Sequence, residues 1–265
     1  MNTNLEPQEV RAQIRSGEWQ DITAGTCLGY VQANLVILPE ALAMDFEALC
    51  AANPQALPLI ERTVTGTPHE LGVAPGADLR TDLPRYHVFR HGTLVEERHS
   101  IEDLWRDDLV GFLFGCSFSA ENQLLRAGVR LRHLQIGRGI PMFKTTLECK
   151  PAGAFHGPIV VSMRPIAVDQ LDKAIEVTKG LPFAHGAPLH VGDPAVIGIT
   201  DVMAPDWGEP LRIAENEVPV FWACGVTPQA VIQAVRPPFA VTHAPQHMFI
   251  TDLTDEELNG NPPAN

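Results

Sequence analysis

Two apolar runs near the C-terminus, each ending abruptly in small and polar residues, constrain this chain most. One is Val218-Pro-Val-Phe-Trp-Ala-Cys-Gly-Val-Thr-Pro-Gln229; the other is Phe239-Ala-Val-Thr-His-Ala-Pro-Gln-His-Met248. Between them, Thr227 to about Val235 reads as a helix. A hydroxyl stands at its N-cap and a proline at its first position, where a missing N–H costs nothing. Strand, helix, strand is the pattern of a parallel βαβ unit, which carries its chemistry at the carboxyl ends of its strands. The pattern predicts Cys224, Gly225, Thr227, Thr242 and His243 along one sheet edge.

The rest of the chain supplies partners for that unit. Residues 7–16 read as a helix, Gln32–Leu38 as an apolar strand stopped by Pro39, and Ala41–Cys50 as a helix. Tyr86–Arg90 and Leu109–Phe114 read as strands, with a loop-rich stretch over 63–85. Ser100, with Asp103 three residues on, predicts a helix start. Ser117 or Ser119 predicts the cap of a helix running through Leu125. Pro141–Cys149 and Pro158–Met163 read as paired strands, followed by an amphipathic helix over Asp169–Lys179. A short strand is expected near Val196–Ile199, and 254–265 as a frayed tail. The expected architecture is α/β: a main three-layer α/β domain over 1–130 and 185–265, which holds the βαβ unit, and a smaller two-layer α+β domain inserted at 131–184.

Charge narrows the partners. With 32 acidic and 19 basic residues the net charge is −13. Phosphate contacts need clustered Lys and Arg, so nucleic acid is a poor partner, and an anionic membrane surface would repel the chain. No apolar run approaches the ~20 residues of a membrane span. Neither Gly-x-Gly-x-x-Gly nor a Gly-Lys-Ser/Thr phosphate loop occurs, which argues against a nucleotide cofactor; no cofactor is expected. Five cysteines with no Cys-x-x-Cys pair read as reduced thiols, and the start of the chain lacks a signal-peptide pattern, so a cytoplasmic location is expected. The expected partner is a small-molecule carboxylate substrate, and a homo-oligomer stays open.

Several residues have the right chemistry for such a substrate. A helix start at Thr227 attracts anions through the Gly225–Thr227 amides and would lower the pKa of Cys224. The plainer alternative is a small buried cysteine at a tight turn. His243 is the candidate proton-transfer residue. His243 and His247 have the four-residue spacing of metal ligands, with Asp252 a distant third, but Pro245 disfavours a helix there. Gly115-Cys-Ser-Phe-Ser-Ala-Glu121 adds a thiol at Cys116 and a carboxylate at Glu121 near a second helix start. Arg80 and Arg164 offer forks for a substrate carboxylate, the alternative for Arg80 being an ion pair with Asp78 or Asp82. His185 and His190 flank a turn.

Seven segments bring a family into view. Gln32–Pro39, Asp78–Asp82, Gly115–Phe118, Val161–Pro165, His185–Pro188, Pro219–Gln229 and Thr242–Pro245 resemble, in order, the bacterial hydro-lyases of the YcsI type. These are similar to the catalytic region of mitochondrial D-glutamate cyclase. The likeness runs from about residue 10 to 252, and Gln246 stands where a glycine is expected. It implies a two-part α/β fold and a carbon–oxygen lyase. The most concrete reaction is cyclisation of D-glutamate to 5-oxo-D-proline and water. Such chemistry needs a base or acid (His243, with Cys224, Cys116 and Glu121 as further candidates), oxyanion donors, and a carboxylate clamp (Arg80 or Arg164). The alternatives are a non-catalytic carboxylate-binding protein and a metal-dependent hydrolase using His243, His247 and a carboxylate.

Overall fold

The computed structural model describes residues 5–260, which form two antiparallel sheets flanked by helices. The first sheet is built around β1 (Tyr30–Pro39). On one side of β1 lies β5 (Leu109–Phe114), with β2 (Leu59–Arg62) beyond it; on the other lie β10 (Ala240–His243), β3 (Tyr86–Arg90) and β4 (Thr93–Arg98). The start of β1 also pairs with β11 (Phe249–Thr254). The second sheet has the order β6 (Met142–Glu148), β7 (Pro158–Ala167), β9 (Glu217–Ala223), β8 (His190–Val191).

The apolar run of β1 is explained by burial on both faces. Val31, Ala33, Leu35 and Ile37 enter one core; Val36 and Leu38 enter the other. The first core is closed by irregular chain around Leu71–Leu83 and by Ile101, so the loop-rich stretch covers a sheet face. The second is closed by α2 (Glu40–Ala52), through Ala43, Phe46 and Leu49, and by Val231 and Ile232 of α6 (Thr227–Val235). In the second sheet the alternation of β7 sends Val161 and Met163 to a core with Phe143 and Phe221. Ser162, Arg164 and Ile166 therefore face the other way, toward α3 (Phe118–Arg126) and α5 (Leu171–Lys179).

The α/β class stands, but the parallel βαβ unit does not. β9 pairs antiparallel with β7 in the second sheet, and β10 pairs antiparallel with β1 and β3 in the first. Helix α6 thus joins two sheets instead of crossing over within one. Both strands are apolar because both are buried, and burial alone does not say which sheet receives them. The second sheet takes β6 and β7 from the 131–184 segment and β8 and β9 from the chain that follows.

Four local expectations are also revised. Ser100 leads only into a single turn, Glu102–Leu104. Pro194–Ile197 is a short 3-10 turn, since Pro194 offers no ladder N–H; the strand lies earlier, at His190–Val191. Residues 255–260 form α7 (Asp255–Gly260), anchored by Leu258 in the core; 261–265 lie outside the described residues. Thr227 is the first helical residue of α6, not its cap. Its hydroxyl bonds the main chain of Val160 instead, accepting from the N–H at 3.1 Å and donating to the carbonyl at 3.3 Å. That bond pins α6 to β7.

Candidate functional site

Arg164 is the largest fully buried side chain, 2% exposed, in the middle of β7. A guanidinium there needs partners. Glu121 Oε1 accepts from Nη2 at 2.5 Å and from Nε at 3.1 Å; Ser117 Oγ accepts from Nη2 at 3.2 Å and Ser162 Oγ from Nη1 at 3.1 Å. His133, on the short helix α4 (Arg132–Gln135), reaches the same Glu121 oxygen through Nε2 at 2.9 Å. All three bonds to Glu121 thus fall on Oε1. Burial alone would raise the Glu121 carboxyl; the charge of Arg164, with His133, outweighs it and holds the group below its ordinary range. The guanidinium also lies 5.7 Å from the Trp222 ring centroid.

Two sharp turns close around this pair. At the end of β5, a Cβ on Gly115 would overlap the carbonyl of Phe183, so the chain can pass there only as glycine. At the end of β9, a Cβ on Gly225 would overlap the side-chain amide of Asn34. Asn34 projects from β1 and donates to the Gly115 carbonyl at 2.7 Å, so one amide braces both turns. The turns carry Cys116 and Cys224, both buried. Each sulfur sits at a helix start: Cys116 Sγ accepts from the Phe118 N–H at 3.5 Å, and the Val226 and Gly225 N–H groups counter the effect of burial on the Cys224 thiol. The Thr227 N–H bonds the Cys224 carbonyl at 2.9 Å. The Thr227 amide, one of those expected to cradle an anion, is therefore spent on the Cys224 carbonyl.

The thiols are not activated. Burial pushes Cys116 up to about 12 and Cys224 up to about 11, against which the helix-start N–H groups and Arg164 count for less. Both remain S–H at neutral pH, hydrogen-bond donors before nucleophiles. The expected lowering of the Cys224 pKa is overturned by desolvation.

His185 completes the cluster. Its Nδ1 lies 2.8 Å from the Gln55 carbonyl and must donate there, which leaves Nε2 as the bare acceptor. That nitrogen is buried and unpaired among the described residues. Burial first, and the Arg164 charge with it, bring the ring down to about 4, so it is neutral near pH 7.

The comparisons decide the family. The model of the D-glutamate cyclase family matches residues 110–252, a span holding Cys116, Glu121, His133, Arg164, His185, Cys224 and His243. This chain belongs to the D-glutamate cyclase family. Relatives run nearly end to end with it. The "Putative hydro-lyase" of Geobacillus kaustophilus is 53% identical over 96% of this chain and 97% of its own. That of Stutzerimonas stutzeri is 51% identical over 96% of each, and YcsI of Bacillus subtilis 50% identical over 96% of this chain and 99% of its own. A nitrogen repressor-like protein from Methanococcus jannaschii superposes with a TM-score of 0.40 at 12% identity, over 89% of this chain and 91% of that one, too loose a likeness to inform the site. The enzyme is a hydro-lyase. Among its described residues no helix is long and apolar enough to cross a membrane.

In this D-glutamate cyclase family member the structure joins Cys116, Glu121, Arg164, His185, Cys224 and Gly225, and places His243, Thr242, Arg80, Asp252 and His247 elsewhere. His243 lies at the end of β10, its Nδ1 3.2 Å from the Leu35 N and 3.3 Å from the Leu35 carbonyl, its Nε2 buried with no hydrogen-bond partner among the described residues. Burial, and after it the neighbouring His87 and His247, lower it to about 3. Thr242 donates to the His243 carbonyl at 2.9 Å, as does Gln229 of α6 at 2.8 Å. Arg80 is committed to Asp78, with Nη2 2.7 Å from Oδ2, which is the ion-pair alternative. Asp252 pairs with Arg11, and His247 Nδ1 sits 2.9 Å from the Pro245 carbonyl. Among the described residues no group of three His, Cys, Asp or Glu is arranged to hold a metal.

Asn34, His133, Ser162 and Trp222 were not singled out as site residues by the sequence. Asn34 carried a usable signal: a lone amide inside an apolar strand must find a buried partner. His133 carried none, since its role depends on where α4 packs.

Proposed function

We propose that this enzyme interconverts D-glutamate and 5-oxo-D-proline. The amine attacks the side-chain carboxyl, a C–N bond forms, a C–O bond breaks, and one water leaves. The observation that supports this most is the buried Arg164, flanked by two protonated thiols and a neutral histidine with a bare ring nitrogen. Arg164 offers a fixed positive charge for the spectator carboxylate. Cys116 and Cys224 offer neutral S–H donors to the oxyanion and to the departing hydroxyl. His185 Nε2 accepts the proton that the amine sheds. His243, whose buried Nε2 has no hydrogen-bond partner among the described residues, is the second base candidate; Thr242 and Thr227 hold the main chain beside it and beside Val160. Because every one of these groups is buried, substrate reaches Arg164 only when the chain around it opens.

The test is incubation of the purified enzyme with D- and L-glutamate and with both 5-oxoprolines, read by chiral chromatography. Conversion of only the D-compounds supports the reading, and no conversion in either direction at high enzyme overturns it. His185→Gln and His243→Gln then separate the two bases. The true base loses about 10²–10⁴-fold in kcat, and the other histidine does not.

A further inference from the structure

The short helix α4 serves two places at once. His133 reaches inward to Glu121, while Arg132 and Gln135, on either side of it in the chain, line a cavity of about 200 Å³ with Arg130, Ala167, Asn216 and Glu217. That is room for about six waters. The cavity lies in a basic stretch of an acidic chain: residues 122–147 hold Arg126, Arg130, Arg132, Arg138 and Lys144 and no Asp or Glu, in a protein of net charge −13. Four of these five cations are occupied. Arg126 pairs with Glu256, Arg138 pairs with Glu209, and Lys144 Nζ donates to Gln233 Oε1 at 3.1 Å. Arg132 Nη2 donates to Glu217 Oε1 at 2.7 Å, and Glu217 Oε2 accepts from the Ala214 N–H at 2.9 Å, so the one carboxylate in the lining is matched. The guanidinium of Arg130 is exposed and meets no partner among the described residues. Asp169 and Glu215 come near in the chain, but neither lines the cavity.

Two carboxamides complete the lining. The Asn216 carbonyl accepts from the Val168 N–H at 3.0 Å, which fixes that residue at the rim; its side chain and that of Gln135 bond nothing among the described residues. Each offers an NH2 donor and a C=O acceptor. A free guanidinium takes a carboxylate, and a free carboxamide takes an amide, giving to its carbonyl and accepting from its N–H. We propose that the outer cavity of α4 is a binding site for a small monocarboxylate that carries an amide, with the carboxylate on Arg130 and the amide on Gln135 and Asn216. A dianion exceeds the single unmatched charge, and a plain carboxylate leaves both carboxamides to water. 5-Oxoproline belongs to this class; its being an occupant in the working enzyme rests on the reaction proposed above, whereas the site does not. The ligand would sit on the helix whose His133 holds Glu121.

The test is an NMR titration of the nitrogen-labelled full chain with N-acetylglycinate, an amide-bearing monocarboxylate that has no amine to cyclise. The side-chain NH2 signals of Gln135 and Asn216 should shift and saturate together, with a Kd of about 1 mM. Acetate lacks the amide and N-acetylglycinamide lacks the charge, so each should bind about tenfold more weakly. Arg130→Gln, an exposed change away from the proposed catalytic groups, should weaken N-acetylglycinate about tenfold and leave Tm unchanged. Gln135→Ala with Asn216→Ala, read at the Arg130 Nε–H, should lower N-acetylglycinate to the affinity of acetate. No saturable shift at Gln135 and Asn216, binding kept in Arg130→Gln, or acetate as tight as N-acetylglycinate overturns the proposal. None of these outcomes bears on glutamate cyclisation, which the chiral assay reads separately.

Discussion

The side-chain amide of Asn34 fills the space that a Cβ on Gly225 would need, while it donates to the carbonyl of Gly115. A single residue of the first sheet thereby sets the spacing of the two turns that carry Cys116 and Cys224. The two turns differ in what blocks them. Gly225 is opposed by a side chain, whereas Gly115 is opposed by the main-chain carbonyl of Phe183. Gly225→Ala should be destabilising by about 1–3 kcal/mol, the range for overpacking, and Asn34→Ala should relieve most of that clash in the double variant. Gly115→Ala should stay destabilised in any such background. Chemical denaturation midpoints check both.

The Arg164–Glu121 pair should show the asymmetry of a buried ion pair. Arg164→Met leaves the buried Glu121 carboxylate without its counter-charge and should cost about 3–5 kcal/mol. Arg164→Met with Glu121→Gln should be less destabilised than Arg164→Met alone. A double-mutant cycle in urea measures the coupling; strict additivity would count against the pairing described.

Acid should weaken the fold through its buried histidines. His185 and His243 sit at about 4 and about 3, well below the unfolded value of about 6.5. A depressed histidine contributes stability that is full above the unfolded pKa and is lost as pH falls toward the folded one. The unfolding free energy should therefore drop between pH 6.5 and 4. His243→Gln should flatten that drop, and a pH series of denaturant midpoints for the two proteins reads it directly.

The thiols should resist alkylation. With Cys116 and Cys224 pushed up to about 12 and about 11, both are S–H and shielded at pH 8. Iodoacetamide labelling followed by mass spectrometry should modify them only as fast as the protein opens, and at an ordinary thiol rate in denaturant. Fast labelling of folded Cys224 would instead mark an activated thiolate.

Much of the fold was legible, because burial writes itself into hydrophobic runs: β1, β5, β7, β9 and α6 all lie where the apolar segments put them. What the runs could not carry was partnership. Nothing in Val218–Ala223 says that it lies against β7 and not beside β10, since both strands are apolar on account of burial and not of pairing. The site was legible in part for the same reason. Cys116, Glu121, Arg164 and Cys224 stood out by residue type at turns, yet their convergence depends on two sheets meeting. Arg80 looked equal to Arg164 in sequence; each pairs with a carboxylate, and burial separates them, since Arg80 is partly exposed and Arg164 is enclosed. The low-pKa reading of Cys224 rested on the helix start alone and left out desolvation, which is larger.

The alternation along β7 has one more consequence. Val161 and Met163 point to one core, Ser162 and Arg164 to the other. A slip of this strand by one residue would drive a guanidinium among Phe143, Ile197 and Phe221 and set a thioether against Glu121, a penalty of several kcal/mol. The ionic cluster therefore acts as a checksum on the assembly of the second sheet: a chain that mispairs β7 by one step cannot bury Arg164, and so cannot close.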